Sequence, residues 1–392
     1  MGEKNKYQIC VVTGTRAEYG LLRRLLFRFK INKYVELKLF VTGSHLDRRF
    51  GNTQKEIVSD GFEDYLKIEI PLEDDSKEGM AYATGIALQK FAEEFANYKP
   101  DIMIVLGDRY EIFAAGVAAH LSGIPIGHIG GGDVTEGAVD DAIRHSLTKM
   151  SNLHFPGCEQ SARKIIQMGE QPDSVFNVGE PGVENCININ FMSREELALD
   201  LKFDNIRGEY SVVTFHPVTL ERNTAVEQVH EVIQALNQIP GMSYVITMAN
   251  ADAGGRKINS IWLEESKKYS NWLVVSSLGV VRYLSAMKYA KLVIGNSSSG
   301  IIEAPSIGVP TINIGDRQKG RMCAESIINC APQKEQIVSA IEKGLGDLFQ
   351  KKAKNVKSPF GDGTTSKQIE KIVMEYLKND KQIEKTFYEI DF

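Results

Sequence analysis

Three serines and a glutamate late in the chain have the types and spacing to hold a nucleotide. In Gly295-Asn296-Ser297-Ser298-Ser299-Gly300-Ile301-Ile302-Glu303-Ala304-Pro305, small and hydroxyl residues follow the apolar run Lys291–Ile294 and open a helix. Such a helix start presents unpaired backbone N–H groups to an anion. Glu303 follows about two turns in, where its carboxylate can accept both hydroxyls of a ribose. A diphosphate seat with a ribose-reading acid beside it fits a nucleotide sugar. A capped helix with a surface glutamate has the same pattern, so the other chemically equipped stretches weigh in the reading.

Those stretches all follow apolar runs. Gly14-Thr15-Arg16-Ala17-Glu18-Tyr19-Gly20 offers Arg16 at a tight turn before a helix, as a two-pronged phosphate donor or as a loop cap. Gly107-Asp108-Arg109-Tyr110-Glu111 places an acid and a base at the end of the strongly apolar Ile102–Leu106. Charges there are costly unless paired or functional, so Asp108 is the leading acid/base candidate, with Arg109 holding either it or a phosphate. Desolvation at a buried strand end is expected to raise the Asp108 pKa. His128-Ile129-Gly130-Gly131-Gly132-Asp133-Val134-Thr135-Glu136 allows close approach to the backbone, and Asp140 and Asp141 then open a helix carrying Arg144 and His145. Acids at a helix start are also ordinary partners of the macrodipole, which is the reading favoured for Asp141 and which should keep Asp140 ionised. Phe215-His216-Pro217 aims a histidine at the same kind of edge, to donate to a phosphate or act as an acid. Asn250-Ala251-Asp252-Ala253-Gly254-Gly255 is a polar turn after another strand, and Gly315-Asp316-Arg317-Gln318-Lys319-Gly320-Arg321 brings two arginines after the last.

The elements that must position these residues alternate short apolar strands with amphipathic helices, the pattern of a parallel sheet covered on both faces. Strands are predicted at 8–13, 36–42, 102–106, 124–129, 153–156 and 175–178, then at 210–215, 244–248, 272–275, 292–294 and 311–314. The fold expected is α/β: two doubly wound parallel-sheet, Rossmann-like domains with a cleft between them. Their predicted extents are 1–180 for the domain with the catalytic acids and 181–358 for the nucleotide-binding one. Residues 359–392 are expected to add a helix packing back on the first domain and a loosely held charged tail.

Composition excludes several classes. The 392 residues carry a net charge of −5, so nothing draws the chain to nucleic acid or to a membrane surface. No apolar run approaches the ~20 residues that span a bilayer. MGEKNKYQIC runs straight into a strand, which predicts no secretory leader. Five cysteines without CxxC spacing point to a reduced, cytoplasmic setting. No histidine spacing suits zinc, no GxGxxG follows the first strand, and no GxxxxGK[ST] occurs, so neither metal, NAD nor ATP is expected as a cofactor.

As a set, Gly14–Gly20, Gly107-Asp108-Arg109, Asp140-Asp141-Ala142-Ile143-Arg144-His145, Phe215-His216-Pro217, Gly295–Gly300 and Asn313-Ile314-Gly315-Asp316-Arg317-Gln318 resemble the UDP-N-acetylglucosamine 2-epimerase family, and within it the hydrolysing, NeuC-like branch. The resemblance runs from Gly14 to about Gly363. It implies a GT-B-like fold and conversion of UDP-N-acetylglucosamine and water to N-acetylmannosamine and UDP through a 2-acetamidoglucal, for sialic acid or related nonulosonate synthesis. By matching motifs, Arg16, Arg109, His216, Asn250, Ser297, Ser298, Glu303 and Arg317 correspond to UDP ligands, and Asp108 and Asp140 to catalytic carboxylates; His216 is also a candidate acid. Several relatives have a glutamate where this chain has Gly130, so either Asp133 or Glu136 supplies that carboxylate or the mechanism uses fewer acids, with Asp133 favoured. A homodimer or homotetramer is implied by the resemblance alone.

Three other readings use the same residues. A hydrolysing epimerase of UDP-N,N′-diacetylbacillosamine differs only at sugar C4 and C6. A GT-B glycosyltransferase would need an acceptor where the epimerase needs only water. A non-catalytic nucleotide-sugar sensor would keep Ser297, Ser298 and Glu303 but need no acids opposite them.

Overall fold

Alternation along single strands explains the architecture. In β1 (Tyr7–Thr13), Ile9 and Val11 enter one apolar cluster while Cys10 and Val12 enter another, so both faces of the strand are buried. The computed structural model describes residues 6–74, 76–134, 139–217, 225–249, 255–379 and 385–390. The chain divides into two units, Met1–Glu184 with Gly361–Phe392, and Asn185–Phe360.

The first unit is built on one parallel sheet. Its remaining strands are β2 (Val35–Thr42), β3 (Tyr65–Ile68), β4 (Ile102–Leu106), β5 (Ile126–Ile129) and β6 (Leu153–Phe155), in the order β3-β2-β1-β4-β5-β6. Ile9 pairs with Ile102 and Val11 with Ile104, so β1 and the fully apolar β4 occupy the centre. One face packs on helix Arg16–Ile31 and on helix Thr365–Lys378, through Leu22, Leu26, Phe29, Ile369 and Val373. The other packs on helices Lys77–Asn97 and Tyr110–Leu121, where Phe40 stacks against Phe91 and Phe95. Each such buried side chain contributes roughly 1.5–3 kcal/mol of transfer free energy.

The second unit repeats the plan. Its strands β7 (Tyr210–Thr214), β8 (Ser243–Thr247), β9 (Trp272–Val275), β10 (Leu292–Gly295), β11 (Thr311–Ile314) and β12 (Ile327–Cys330) run parallel in the order β12-β11-β10-β7-β8-β9. Val213, Ile246, Ile294 and Ile312 line one core with Trp262 and Ile337, while Val212 and Val245 line another with Leu197 and Ala286. In both sheets the order reverses once, between β1 and β4 and between β7 and β10. Open parallel sheets bind ligands at the carboxyl ends beside such a reversal.

Three sequence expectations change. Residues 175–178 form only a single bridge, Val175 to His154, after the turn Pro172–Ser174. The edge strands β3 and β12 were not foreseen, because edges are half exposed and lose the continuous apolar run. The tail is anchored: Lys385 Nζ donates to the carbonyls of Lys149 at 2.8 Å and Ser151 at 2.5 Å, and Tyr388 N donates to Gly169 O at 2.9 Å.

Candidate active site

The β7/β10 reversal in the second unit is held together by one asparagine. Gly295 has φ of 131°, and a Cβ there would lie 1.9 Å from the Thr214 carbonyl oxygen, so only glycine lets β10 end this close to β7. Asn296, 1% exposed, then clamps the backbone of His216: its Oδ1 accepts from His216 N at 2.7 Å and its Nδ2 donates to His216 O at 2.9 Å. The Asn296 carbonyl accepts from Arg317 Nη1 at 3.1 Å and from Gln318 Nε2 at 2.9 Å, tying in the end of β11. His216 itself is buried.

Ser297 caps helix Ser298–Ile307, its hydroxyl accepting from Ser299 N at 3.4 Å, while Ser299 Oγ meets the Tyr283 hydroxyl at 2.5 Å. The helix start therefore faces the reversal with hydroxyls and N–H groups. Glu303 is not the surface glutamate of the simpler reading. The residue keeps some exposure, but its Oε2 is shut off from solvent and lacks a hydrogen-bond partner. Burial pushes its pKa up to about 7, with Arg321 opposing.

In the first unit, Arg144 collects the acids. It is 6% exposed, ion-pairs through Nη2 with Asp108 Oδ2, donates from Nη1 to the Asp133 carbonyl at 2.8 Å, and lies 3.5 Å from Asp141 Oδ1. The Asp133 carboxylate accepts from Ser161 Oγ at 2.6 Å. His128, at the end of β5, donates from Nε2 to Gly107 O at 2.8 Å and sits 3.3 Å from Thr148 Oγ1, one turn beyond Arg144 on the same helix. Burial lowers the His128 pKa to about 4, so the imidazole is a neutral strut.

The expected division of protonation between the two carboxyls is corrected. Asp108 is held in an ion pair with Arg144, whereas Asp140, despite its helix-start position and solvent access, has its pKa raised. The cause is first the surrounding protein and then the nearby Asp108 charge. Both outweigh the helix dipole, which is worth only about 0.3–1 kcal/mol at such a site.

Arg109 does not hold Asp108. Its Nε donates to Glu111 Oε1 at 2.6 Å and lies 3.9 Å from Glu18 Oε1. Both glutamates are buried, and neither was foreseen as part of a site. Arg16 pairs with Glu56 at 2.7 Å, beside a cavity of about 330 Å³ that Ser44, Asn52 and Lys55 also line. Asn250 and Glu136 lie outside the described residues. Sequence reasoning also passed over Arg144 and Asn296. The first had a signal, since Asp140, Asp141 and Arg144 are spaced three and four apart on one helix face.

Two sheets of this order in one chain, each ending in polar groups at its reversal, define a GT-B-like protein. The chain belongs to the UDP-N-acetylglucosamine 2-epimerase family, whose model matches residues 28–374. It is 36% identical over 388 residues to the polysialic acid biosynthesis protein P7 of Escherichia coli, covering 98% of this chain and 97% of that protein. It is 40% identical over 328 residues to the hydrolysing GDP/UDP-N,N′-diacetylbacillosamine 2-epimerase of Campylobacter jejuni, covering 83% and 84%. In fold it matches the UDP-GlcNAc 2-epimerase of Neisseria meningitidis crystallised with UDP-GlcNAc, at a TM-score of 0.80 and 18% identity over 94% of this chain and 100% of that one. Among the described residues no helix is long and apolar enough to cross a membrane, and all five cysteines are unpaired.

Proposed function

We propose that this enzyme is a hydrolysing 2-epimerase that converts UDP-N-acetylglucosamine and water to N-acetylmannosamine and UDP. One observation carries the reading: Asp108 is paired with Arg144, while the pKa of Asp140 is raised by burial and by the nearby Asp108 charge. An acid/base pair requires such unequal carboxyls.

Asp108 takes the proton from sugar C2 while the C1–O bond breaks, its electrons leaving with UDP and a C1=C2 double bond forming. Water then adds its oxygen to C1. Asp133 takes a proton from that water, and Asp140 delivers one to the opposite face of C2, inverting it. His216, clamped by Asn296, and Arg16, Arg109, Asn250, Ser297, Ser298 and Arg317 bind the diphosphate and uridine, with Glu303 accepting from the ribose. The unpartnered Glu303 Oε2 and the serine-capped helix support the nucleotide assignment. The protein works in the cytoplasm, consistent with its unpaired cysteines, as a homodimer or homotetramer in sialic acid or related nonulosonate synthesis.

The activity of the Campylobacter jejuni relative, a hydrolysing GDP/UDP-N,N′-diacetylbacillosamine 2-epimerase, favours a second substrate, UDP-N,N′-diacetylbacillosamine. Incubating the pure protein with each sugar nucleotide, without an acceptor, and identifying the released sugar by mass and NMR separates the two. Release of UDP only when an acceptor sugar is added would instead indicate a glycosyltransferase.

A further inference from the structure

The acid cluster beside Asp108 has no role in the steps above. Glu111, in the first turn of helix Tyr110–Leu121, is 0% exposed, although acids in a first turn normally face water. Its Oε1 accepts from Arg109 Nε at 2.6 Å, and its Oε2 is buried without a partner. Two glycines make the space for it. A Cβ on Gly14 would lie 2.7 Å from Glu111 Oε1, and one on Gly43, whose φ is +58°, would lie 2.9 Å from the same atom. Glu18, 6% exposed, accepts from Gly14 N at 2.7 Å and leaves its own Oε1 unpartnered, 3.9 Å from Arg109 Nε. Burial and the Glu111 charge push the Glu18 pKa up to about 8, so Glu18 is largely neutral near pH 7.

This arrangement controls Arg109 in a particular way. The guanidinium edge at Nε is occupied by Glu111, and the side chain, against Tyr110, keeps 42% exposure at the carboxyl end of β4. An anion arriving at the β1/β4 reversal can use the terminal nitrogens. A long flexible arginine normally loses rotamer freedom on gripping a ligand, and a buried carboxylate that fixes it beforehand removes part of that cost.

We propose that Glu111 is a positioning residue, which pins the Nε edge of Arg109 so that its terminal nitrogens form a ready-made grip for the phosphoryl oxygens of a nucleoside diphosphate. This rests on the reading of Arg109 as a UDP ligand. Gly14 and Gly43 serve the grip by giving the Glu111 carboxylate room.

The test is UDP binding by calorimetry to the full chain, in the parent, Arg109→Ala, Glu111→Met, Glu111→Gln and the double variant R109A/E111M. Methionine keeps the volume without an acceptor, while glutamine keeps an oxygen acceptor. R109A should weaken UDP about 10–100-fold and E111M about 5–20-fold, with E111Q between E111M and the parent. The double variant should bind as R109A does, to within about twofold, because Glu111 acts only through Arg109. Parent-like binding by R109A would remove Arg109 from the nucleotide site and this inference with it. Weakened R109A with parent-like E111M, or a double variant weakened by the product of the two single effects, would overturn the positioning role alone. If E111M does not fold, Glu111→Asp replaces it, since drawing the carboxylate back by one methylene must also weaken UDP; parent-like binding by E111D overturns the proposal.

Discussion

Asn296 holds His216 by both ends of its amide, accepting from the His216 N–H at 2.7 Å and donating to the His216 carbonyl at 2.9 Å. The two residues end neighbouring strands at the reversal of the second sheet, so the clamp sets the start of the serine-capped helix against the histidine loop. Truncation leaves two buried backbone groups unpaired at about 1–3 kcal/mol each. Asn296→Ala should therefore destabilise the protein by about 2–4 kcal/mol. Urea unfolding measures this, and a loss under about 0.5 kcal/mol would show that the clamp is dispensable.

Glu303 should read the nucleotide ribose. Removing a charged acceptor costs about 1.5–3 kcal/mol, so Glu303→Ala should bind UDP roughly 10–150-fold more weakly. Because burial raises this carboxyl to about 7, the charged acceptor is present above pH 7 and disappears below it. Parent affinity for UDP should decline as the pH falls from 8 to about 6, while Glu303→Gln should stay nearly flat over that range. Equal pH slopes in the two proteins would remove Glu303 from the contact.

Asp108→Asn should lower kcat by about 10²–10⁴-fold, the usual worth of a positioned proton carrier. Turnover by the parent in D₂O should place deuterium at C2 of the released sugar. With ¹⁸O-labelled water the label should enter C1 of the sugar and not the UDP, since the C1–O bond breaks. A product lacking C2 deuterium rules out elimination through solvent-exchanging acids. Near-parental turnover by the asparagine variant removes Asp108 even if the labelling is as expected.

The tail anchor predicts a long-range effect. Glu170, 1% exposed, gathers Lys149 at 2.6 Å, Lys385 at 2.6 Å and His154 at 2.9 Å. Lys385 also caps the end of the helix whose start carries Asp140 and Arg144. Truncation after Asn379 should cost about 1–3 kcal/mol of stability and lower kcat more than it raises KM. The Glu170 pKa, depressed to about 2 by these partners against its own burial, lies below its value of 4.5 in the unfolded chain. Its stabilising contribution is thus complete above about pH 5 and lost as the pH falls towards 2. Glu170→Gln should be less stable than the parent at pH 7, and the difference should shrink on acidification. A constant difference between pH 7 and pH 3 would contradict the linkage.

The fold was largely legible because central parallel strands are buried on both faces. Ile102–Leu106 is apolar throughout and Tyr210–Thr214 is buried at every position around Val212 and Val213, and both read as strands without help from neighbours. The edges β3 and β12 were not legible, since a half-exposed strand mixes polar and apolar residues as a loop does. Residues 175–178 had the right composition and do run beside β6, where they pair at a single bridge because β6 itself is only three residues long.

For the candidate site, sequence alone determined which chemical groups end the strands: the acid of Asp108, the guanidinium of Arg109, the hydroxyls of Ser297 and Ser298, the carboxylate of Glu303. Parallel sheets gather such ends on one edge whatever the side chains do next. Only the tertiary structure decided what each group meets. Arg144 reaches Asp108 from 36 positions away because the helix after β5 packs against helix Tyr110–Leu121, which follows β4 and Asp108. Glu18 and Glu111 read locally as helix-start acids, and packing turned them inward. A charged group's partner and protonation depend on what displaces water around it, and residues distant in the chain determine that.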